Sequence, residues 1–564
     1  MTVLDVKNLE IGYLNPNNEI VLAVNGINFS VKKGETVGVV GESGCGKSTV
    51  ARALMGYLRP GGKVVGGEIE LAGISILTCA EEELQSIRGK TVAIVPQNPL
   101  SSLTYHMTVG QQMNEILRIH RGMSANEARQ ETLKLFAATH LPDPESVYNR
   151  YPHQISGGQR QRIVIAAALA CKPALMILDE PTTALDTTTE MQVLKLVKEL
   201  RQEIDTAIVY ITHDLTLTNY MCDRVLVMHN GKIVEEGSAR AIFETPKKRY
   251  TQQLVAAIPR VDQPPERAKI PDDKLGERIL EVDTLSFTYA PPWSLSQLFK
   301  RSEPAKAVNK VSFDIRRKET LGLVGESGSG KSTVANIVAG LLSANSGSVR
   351  FDGESLHNRG EKRSAENRRR IQLIFQDPLS SLNPRHQVGT ILTHSIMRFI
   401  GIDRRSATDK AVELLEEMEL PAEVMDRYPR QLSGGQQQRV AVARAFSADP
   451  DLILCDEITS ALDVSVQAHV LDLLMALQRK KGTACLFISH DLGVIREVSH
   501  RAVVMQNGQI VEMGPTEDLF TNSQSPYTRH LISAAGRHDD TYEDEEDKTE
   551  IKSHKFENES QPVI

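Results

Sequence analysis

The sequence predicts an α/β protein made of two tandem copies of one module, and three observations lead to this prediction. An apolar run at residues 36–40, a glycine-rich segment at 41–48 and a stretch with helical spacing follow one another as strand, turn and helix. The same order returns at residues 321–332. The opening segment also returns 276 residues later (280 − 4 = 276), since Leu4, Val6, Leu9 and Tyr13 match Leu280, Val282, Leu285 and Tyr289.

The two glycine-rich segments, called here the phosphate loops, fit the pattern G-x-x-x-x-G-K-[ST]. After Lys47, the apolar residues Val50, Leu54 and Leu58 recur at four-residue spacing and predict a helix. A helix start offers free amides and a positive dipole end to an anion. Lys47 is therefore expected to meet the β and γ phosphates of a nucleotide, and Ser48 to offer a hydroxyl to Mg²⁺. The predicted loop residues are Gly41, Glu42, Ser43, Gly44, Cys45, Gly46, Lys47, Ser48 and Thr49, and Gly325, Glu326, Ser327, Gly328, Ser329, Gly330, Lys331, Ser332 and Thr333.

Length, charge and cysteine usage narrow the functional classes. The chain has 564 residues, so each copy exceeds 250 and is long enough for a full hydrophobic core. The net charge of −7 argues against a broad nucleic-acid-binding face. Six scattered cysteines without a C-x-x-C pair predict neither a disulfide framework nor a zinc site. The most apolar window, 163–178, is broken by Lys172 and Pro173, so no membrane span is predicted.

Polar residues follow three predicted strands of the first copy. Gln97 comes after the run 92–95 and could reach a metal ion or its water. Asp179 and Glu180 follow the buried run 175–178; Asp179 can hold Mg²⁺ through water, and Glu180 can act as general base on an attacking water. The alternative for this pair is a solvated strand end. His213, after the run 208–211, could contact a γ-phosphate, or it could be a histidine satisfied in the core.

A helical segment separates these strands. Residues 98–154 have helical spacing, and Ser124 with Glu127 predicts a capping box at the start of a helix. A second glycine-rich helix start follows and suits an anion, although such a pentapeptide is also a common turn. Tyr13 could stack on an adenine or pack in the core. The further candidates of the first copy are Ser156, Gly157, Gly158, Gln159 and, in the turn 184–186, Asp186.

Taken in this order, these elements resemble the ATP-binding subunit of an ATP-binding cassette (ABC) transporter, over about residues 3–535. The resemblance implies two tandem P-loop NTPase modules, each with a RecA-like α/β core, an N-terminal antiparallel β subdomain and an inserted α-helical subdomain. It implies ATP and Mg²⁺ as cofactors, with catalytic residues Glu180, His213, Glu457 and His490. The implied metal-site residues are Ser48, Gln97, Asp179, Ser332, Gln376 and Asp456. The remaining implied nucleotide contacts of the second copy are Tyr289, Ser433, Gly434, Gly435, Gln436 and Asp463.

Some more specific sequence motifs resemble those of ATPases that serve dipeptide, oligopeptide, nickel and glutathione importers. These motifs are residues 377–384 after the second glutamine and 525–528 near the end, which 249–251 echoes in the first copy. The likeness implies two integral-membrane permease subunits and, indirectly, a solute-binding protein as partners. It places the chain peripherally on the cytoplasmic face of the inner (plasma) membrane, with the two cassettes paired head to tail and no nucleic-acid partner.

We expect an ATP-binding domain at 1–258, a proline-bearing linker at 259–278, a second ATP-binding domain at 279–537 and an acidic disordered tail at 538–564. An insert at 291–306, with the only tryptophan, either is like one half of those importers or is a surface loop. One alternative is a soluble twin-cassette translation factor acting on ribosomes, whose halves are joined by a long charged helix. Another is the fused ATPase of a sugar importer, which often has one degraded site; neither site is degraded here.

Overall fold

The computed structural model describes residues 1–15, 19–182, 185–259, 261, 274–289, 306–358, 360–460 and 462–536. Several predicted features lie outside these residues. They are most of the linker 259–278, the insert 291–306 except for its last residue, the tail 538–564, and Ala184 and Ala461 of the two short turns.

The N-terminal module opens with an antiparallel sheet of strand order β2-β1-β4-β5. Its apolar residues alternate with exposed ones, as expected for a sheet with one buried face. Leu4, Val6, Leu9 and Ile11 are fully or almost fully buried. The strands are β1 (Thr2–Leu14), β2 (Ile20–Lys32), β4 (Gly62–Leu71) and β5 (Ile74–Ser75).

A mixed sheet of order β10-β9-β3-β8-β7-β6 forms the centre of this module. Strands β6, β7, β8, β3 and β9 run parallel, and β10 pairs antiparallel with β9. All residues of β3, β7 and β8 are buried, because helices and the first sheet cover both faces. The strands are β3 (Thr36–Val40), β6 (Val92–Val95), β7 (Leu175–Asp179), β8 (Ala207–Thr212), β9 (Arg224–His229) and β10 (Lys232–Ser238).

The helices of the N-terminal module include a separate helical lobe, α3 to α5, between β6 and α6. Its capping box at Ser124 is present, as predicted. The helix after the phosphate loop ends at Leu54, one turn earlier than the spacing of Leu58 predicts, and Gly56 at φ +64° follows it. The helices are α1 (Lys47–Leu54), α2 (Glu81–Ile87), α3 (Val109–Arg121), α4 (Ala125–Ala138), α5 (Pro144–Tyr148), α6 (Gly157–Leu169), α7 (Thr187–Ile204), α8 (Leu215–Met221), α9 (Ala239–Glu244) and α10 (Arg249–Ala256).

The C-terminal module repeats this arrangement, with an antiparallel sheet β12-β11-β14-β15 and a mixed sheet β16-β17-β18-β13-β19-β20. Its strands are β11 (Arg278–Phe287), β12 (Val308–Arg316), β13 (Thr320–Val324), β14 (Ser346–Phe351), β15 (Glu354–Ser355), β16 (Ile371–Ile374), β17 (Leu452–Asp456), β18 (Ala484–Ile488), β19 (Arg501–Gln506) and β20 (Gln509–Pro515). Its helices are α11 (Lys331–Ala339), α12 (Ala365–Arg370), α13 (Pro378–Ser381), α14 (Val388–Ile400), α15 (Arg404–Glu417), α16 (Gly434–Phe446), α17 (Val464–Lys481), α18 (Leu492–Val498), α19 (Thr516–Asn522) and α20 (Pro526–Gly536).

The two modules pack against each other. Helix α20 of the C-terminal module contacts α7 of the N-terminal one, and α10 contacts α17. Among the residues that the structure describes, no helix is both long and apolar enough to cross a membrane.

Candidate functional site

Each phosphate loop joins a fully buried central strand to a helix and has a backbone that only glycine adopts easily. Gly41 has φ +150° and Gly46 has φ +109°. A β-carbon on Gly41 would lie 2.2 Å from the carbonyl oxygen of Met228, and one on Gly46 would lie 2.4 Å from that of Ala23. Substitution at these two positions would therefore both strain and displace the loop. Gly325 and Gly330 meet the same conditions in the C-terminal module.

The lysine of each loop is buried and folded back over its own loop. Lys47 Nζ donates to the carbonyl oxygens of Gly41 at 2.6 Å and Glu42 at 2.9 Å. Lys331 makes the matching bonds to Gly325 at 2.7 Å and Glu326 at 2.9 Å. Burial lowers the pKa of Lys331, although nearby carboxylates including Glu457 oppose this. An ammonium held in this way can turn to an anion that enters the loop.

A hydroxyl and a carboxylate meet beside each lysine. Ser48 Oγ donates to Asp179 Oδ1 at 3.1 Å, and Ser332 Oγ donates to Asp456 Oδ1 at 2.9 Å. Burial raises the pKa of both carboxyl groups, and the serine hydrogen bonds partly offset this. Such hard oxygen donors fit Mg²⁺, which uses few protein ligands together with waters and phosphates. The described residues contain no cluster of three or more His, Cys, Asp or Glu that could hold a metal without a nucleotide.

In each module, the glutamate proposed as the general base contacts both the predicted glutamine and the predicted histidine. In the N-terminal module, Gln97 Nε2 donates to Glu180 Oε2 at 2.8 Å, and His213 Nδ1 lies 3.4 Å from Glu180 Oε1. Glu180 has φ +49°, and such strain in a non-glycine residue is common at active sites. Its amide donates to the carbonyl oxygen of Ile211 on the next strand at 2.9 Å, which stabilises this backbone.

The same group is present in the C-terminal module. Gln376 Nε2 donates to Glu457 Oε2 at 2.9 Å, His490 Nδ1 lies 3.7 Å from Glu457 Oε2, and Glu457 has φ +48°. The interaction with His490 lowers the pKa of Glu457. Burial by itself would lower the pKa of His490. The interaction with Glu457 has a larger effect in the opposite direction, so the pKa of His490 is raised. The pair therefore holds a carboxylate that can accept a proton.

The second predicted anion sites are true helix starts. Ser156 and Ser433 cap α6 and α16 in capping boxes, in which Gln159 Oε1 accepts from the amide of Ser156 at 3.2 Å and Gln436 repeats the bond at 3.1 Å. Both glutamine oxygens are therefore engaged in capping. The nucleotide contact proposed for them stays a prediction.

The two candidate base-stacking tyrosines have different surroundings. Tyr13 is partly buried, packs against the core of the first sheet, and lies over Gly62. Tyr289 is 54% exposed, meets Phe287 edge-on, and its hydroxyl lies 3.1 Å from Thr333 Oγ1 on α11. An exposed ring beside the phosphate-loop helix fits a base better than a packed one, but stacking stays a prediction at both positions.

The modules meet through the aspartate turns that follow the candidate bases. Ser465 Oγ, in the first turn of α17, donates to Glu42 Oε1 of the other module at 2.6 Å. Thr187 Oγ1, at the start of α7, donates to the carbonyl oxygen of His490 at 3.3 Å. Asp463 acts electrostatically on Cys45, and Asp186 acts on Lys331. Each turn therefore lies close to the phosphate loop of the opposite module.

Sequence reasoning missed two tyrosines at this site. The hydroxyl of Tyr250 accepts from the amide of Glu42 at 3.2 Å, and that of Tyr527 accepts from the amide of Glu326 at 3.2 Å. Both belong to segments that the sequence marked only as typical of one transporter branch. The tyrosines follow the phosphate loops by more than 200 residues, so no local pattern indicates the contact.

A cavity of about 180 Å³ between the modules contains a further titratable group that the sequence did not indicate. Glu190 of α7 lies here with His213, Asp214, His490 and Asp491. Burial raises the pKa of Glu190 to about 8, and the charge of Asp214 adds to this. The equivalent position of α17, four residues after its aspartate cap, holds the neutral Gln467.

The fold and these two sites define an ATPase with paired phosphate loops, each backed by a serine–aspartate pair and a glutamate–histidine pair. Comparison with family models identifies the transporter family. The ABC transporter model matches residues 24–183 and 308–460, and the model of the oligopeptide/dipeptide transporter C-terminal region matches residues 234–278 and 511–559. The chain belongs to the ABC transporter ATPase family, as the sequence predicts.

Two relatives match this chain over nearly its whole length, across both modules. The chain is 41% identical to the glutathione import ATP-binding protein GsiA of Pectobacterium atrosepticum and 39% identical to that of Escherichia coli K12. Each match covers 94% of this chain and 89% of the relative. A solved dimeric bacterial ABC transporter cassette covers 42% of this chain and 99% of its own, at 30% identity and a TM-score of 0.39.

We predict that Glu190→Gln weakens the pH dependence of stability. The pKa of Glu190 is about 8 in the folded chain against an ordinary 4.5. The contribution of Glu190 to the free energy of unfolding is therefore fully present below the pKa of this residue in the unfolded chain. This contribution is lost as the pH rises through about 8. Melting temperatures measured from about pH 6 to about pH 8.5 should fall more steeply in the wild type than in the variant. Both proteins keep His213 and His490, so equal slopes would contradict the role given to Glu190.

Proposed function

We propose that this chain is the ATP-binding and hydrolysing subunit of an ABC importer that takes up peptide-like substrates through a separate permease. The observation that carries the ATPase part is the complete glutamate–histidine and serine–aspartate arrangement at both phosphate loops. The importer part is supported by the match of residues 234–278 and 511–559 to the C-terminal region of oligopeptide/dipeptide transporters.

Within each module, Lys47 or Lys331 neutralises phosphate charge after leaving the loop carbonyls. Ser48 with Asp179, and Ser332 with Asp456, would hold Mg²⁺, which neutralises charge on the phosphate oxygens. Glu180 and Glu457 accept a proton from the attacking water. Gln97 and Gln376 orient these carboxylates. His213 and His490 lie beside the carboxylates, from where they would contact the γ-phosphate.

The two modules are proposed to pair head to tail, so that each nucleotide lies between them. The nucleotide on Lys47 is then completed by Ser433 and Gly435, and that on Lys331 by Ser156 and Gly158. This pairing is supported by the contact of Ser465 with Glu42 and by the charge of Asp186 near Lys331.

ATP binding then drives the modules together. With free ATP about a hundredfold above its dissociation constant for the paired form, each site contributes roughly 2.7 kcal/mol. Two sites together about match the roughly 5.5 kcal/mol that turns a 1:99 equilibrium into 99:1. One occupied site would leave the closure incomplete.

The proposed partners are two integral-membrane permease subunits and, indirectly, a solute-binding protein. The chain would lie peripherally on the cytoplasmic face of the inner membrane through these subunits. The candidate cargo is a dipeptide, an oligopeptide, glutathione or a nickel chelate, and the relatives named for glutathione import favour glutathione among them. A net charge of −7 does not favour a nucleic-acid partner.

We predict that Glu180→Gln and Glu457→Gln retain ATP binding but lose turnover, because the amide keeps the shape and lacks the basic oxygen. The double variant should lose roughly 10²- to 10⁴-fold in kcat in a steady-state ATPase assay. Glu68→Gln, at an exposed position of β4, is the matched control. Near-normal turnover in the double variant would remove general-base catalysis from the account.

The head-to-tail pairing predicts a specific cross-link in a variant that lacks the native cysteines. Glu42→Cys with Ser465→Cys should be joined by a short thiol-specific reagent, because these side chains meet across the modules. Glu42→Cys with Thr188→Cys is the control, since Thr188 occupies the matching position on the module's own helix. After proteolysis between the modules, the cross-linked test variant should keep its two fragments joined. The control should release separate fragments, because both of its cysteines lie in the N-terminal module. Separate fragments in the test variant would exclude this pairing.

The cargo proposal predicts that peptide-like ligands stimulate the reconstituted complex. ATPase activity should rise when the permease-bound chain meets a solute-binding protein loaded with glutathione or a dipeptide, and should not rise with a disaccharide. Without permease subunits, the chain should leave the membrane fraction. Stimulation by the disaccharide would favour the sugar importer, and cosedimentation with ribosomes in low salt would favour the translation factor.

A further inference from the structure

A tyrosine from the C-terminal part of each module is bound to the phosphate loop. Tyr250 lies in the first turn of α10, and its hydroxyl accepts from the amide of Glu42. Tyr527 lies in the first turn of α20 and makes the same bond to Glu326. Both distances are 3.2 Å, so the two modules repeat the contact.

The loop residue that donates to the tyrosine also binds the loop lysine through its carbonyl oxygen. The amide of Glu42 donates to Tyr250 while its carbonyl oxygen accepts from Lys47 Nζ at 2.9 Å. Both polar groups of the residue are therefore engaged, which orients the start of the loop. A β-carbon added to Gly44, further along, would meet no atom within 4 Å, so the loop faces open space at this residue.

Each tyrosine is itself held by the module around it. The ring of Tyr250 stacks on His229 with ring centroids 4.0 Å apart, at the end of β9. Glu235 of β10 accepts from the amides of Lys247 and Lys248, just before α10, at 2.7 and 3.0 Å. Glu512 of β20 likewise accepts from the amides of Gln524 and Ser525, just before α20, at 2.7 and 3.3 Å. A carboxylate therefore anchors the helix start that carries each tyrosine.

The hydroxyl groups stay neutral beside the site. Burial raises the pKa of Tyr527 to about 12, with the charges of Glu326 and Asp186 adding to it, and burial also raises the pKa of Tyr250. A neutral phenol bonds the loop without placing a negative charge next to a phosphate.

We infer that Tyr250 and Tyr527 are positioning residues that hold the phosphate loops ready for nucleotide, and that Glu235 and Glu512 support them from the preceding turns. The tyrosines touch the loop backbone and not the reacting atoms, so they set the affinity for ATP rather than the chemical step. Holding a loop in its binding form reduces the ordering cost that the nucleotide must meet. This inference rests on the proposed nucleotide sites.

Tyr250→Phe, Tyr527→Phe and the double variant test this role, because each change removes only an oxygen atom. The loss of one hydrogen bond predicts a rise of about fivefold in the KM for ATP and in the Kd for the non-hydrolysable analogue AMP-PNP at the altered site. The kcat at saturating ATP should stay within about twofold. Glu235→Gln and Glu512→Gln should raise KM in the same direction by a smaller factor.

Tyr148→Phe is the matched control, because its hydroxyl lies 2.7 Å from the Asn114 side chain in the helical lobe, away from both loops. It should leave KM unchanged. An unchanged KM in the double variant, or a kcat that falls as much as KM rises, would overturn the inference. Failure of the wild-type chain to bind AMP-PNP would instead refute the proposed nucleotide sites.

Discussion

The parallel register of the central strands is the constraint on which both sites depend. Strands β3, β7 and β8 lie side by side and end at one edge of the sheet, as do β13, β17 and β18. Ligands bind at such carboxyl edges because loops from neighbouring strands converge there. This edge brings Lys47, Asp179 and His213 together although they are far apart in the chain.

The geometry of the strand ends adds a second requirement. Glu180 and Glu457 follow the last strand residue with positive φ, and each amide is tied to the neighbouring strand. This backbone turns the carboxylate towards the glutamine and histidine of the adjacent loops. The strain is maintained because the buried strands on either side leave the turn little freedom.

The modules are alike in these sites but not identical where they meet. Glu190 faces the shared cavity from one side, and Gln467 occupies the matching position on the other. Ser465 reaches the phosphate loop of the opposite module through Glu42. The contacts that join the modules therefore have only approximate twofold symmetry.

The sequence by itself determined the duplication, the phosphate loops, the order of the strand-end residues and the transporter family. These features depend on residues close together in the chain, where glycine, lysine and apolar runs have direct backbone consequences. It also indicated the capping box at Ser124, but it overextended the helix after the first loop to Leu58, where Gly56 ends it. The tertiary structure alone decided the bonds of Tyr250 and Tyr527 to the loops, the contact of Ser465 with Glu42 and the position of Glu190 in the cavity between the modules. These contacts join segments separated by hundreds of residues or by the boundary between modules, and their partners follow from packing rather than from local spacing.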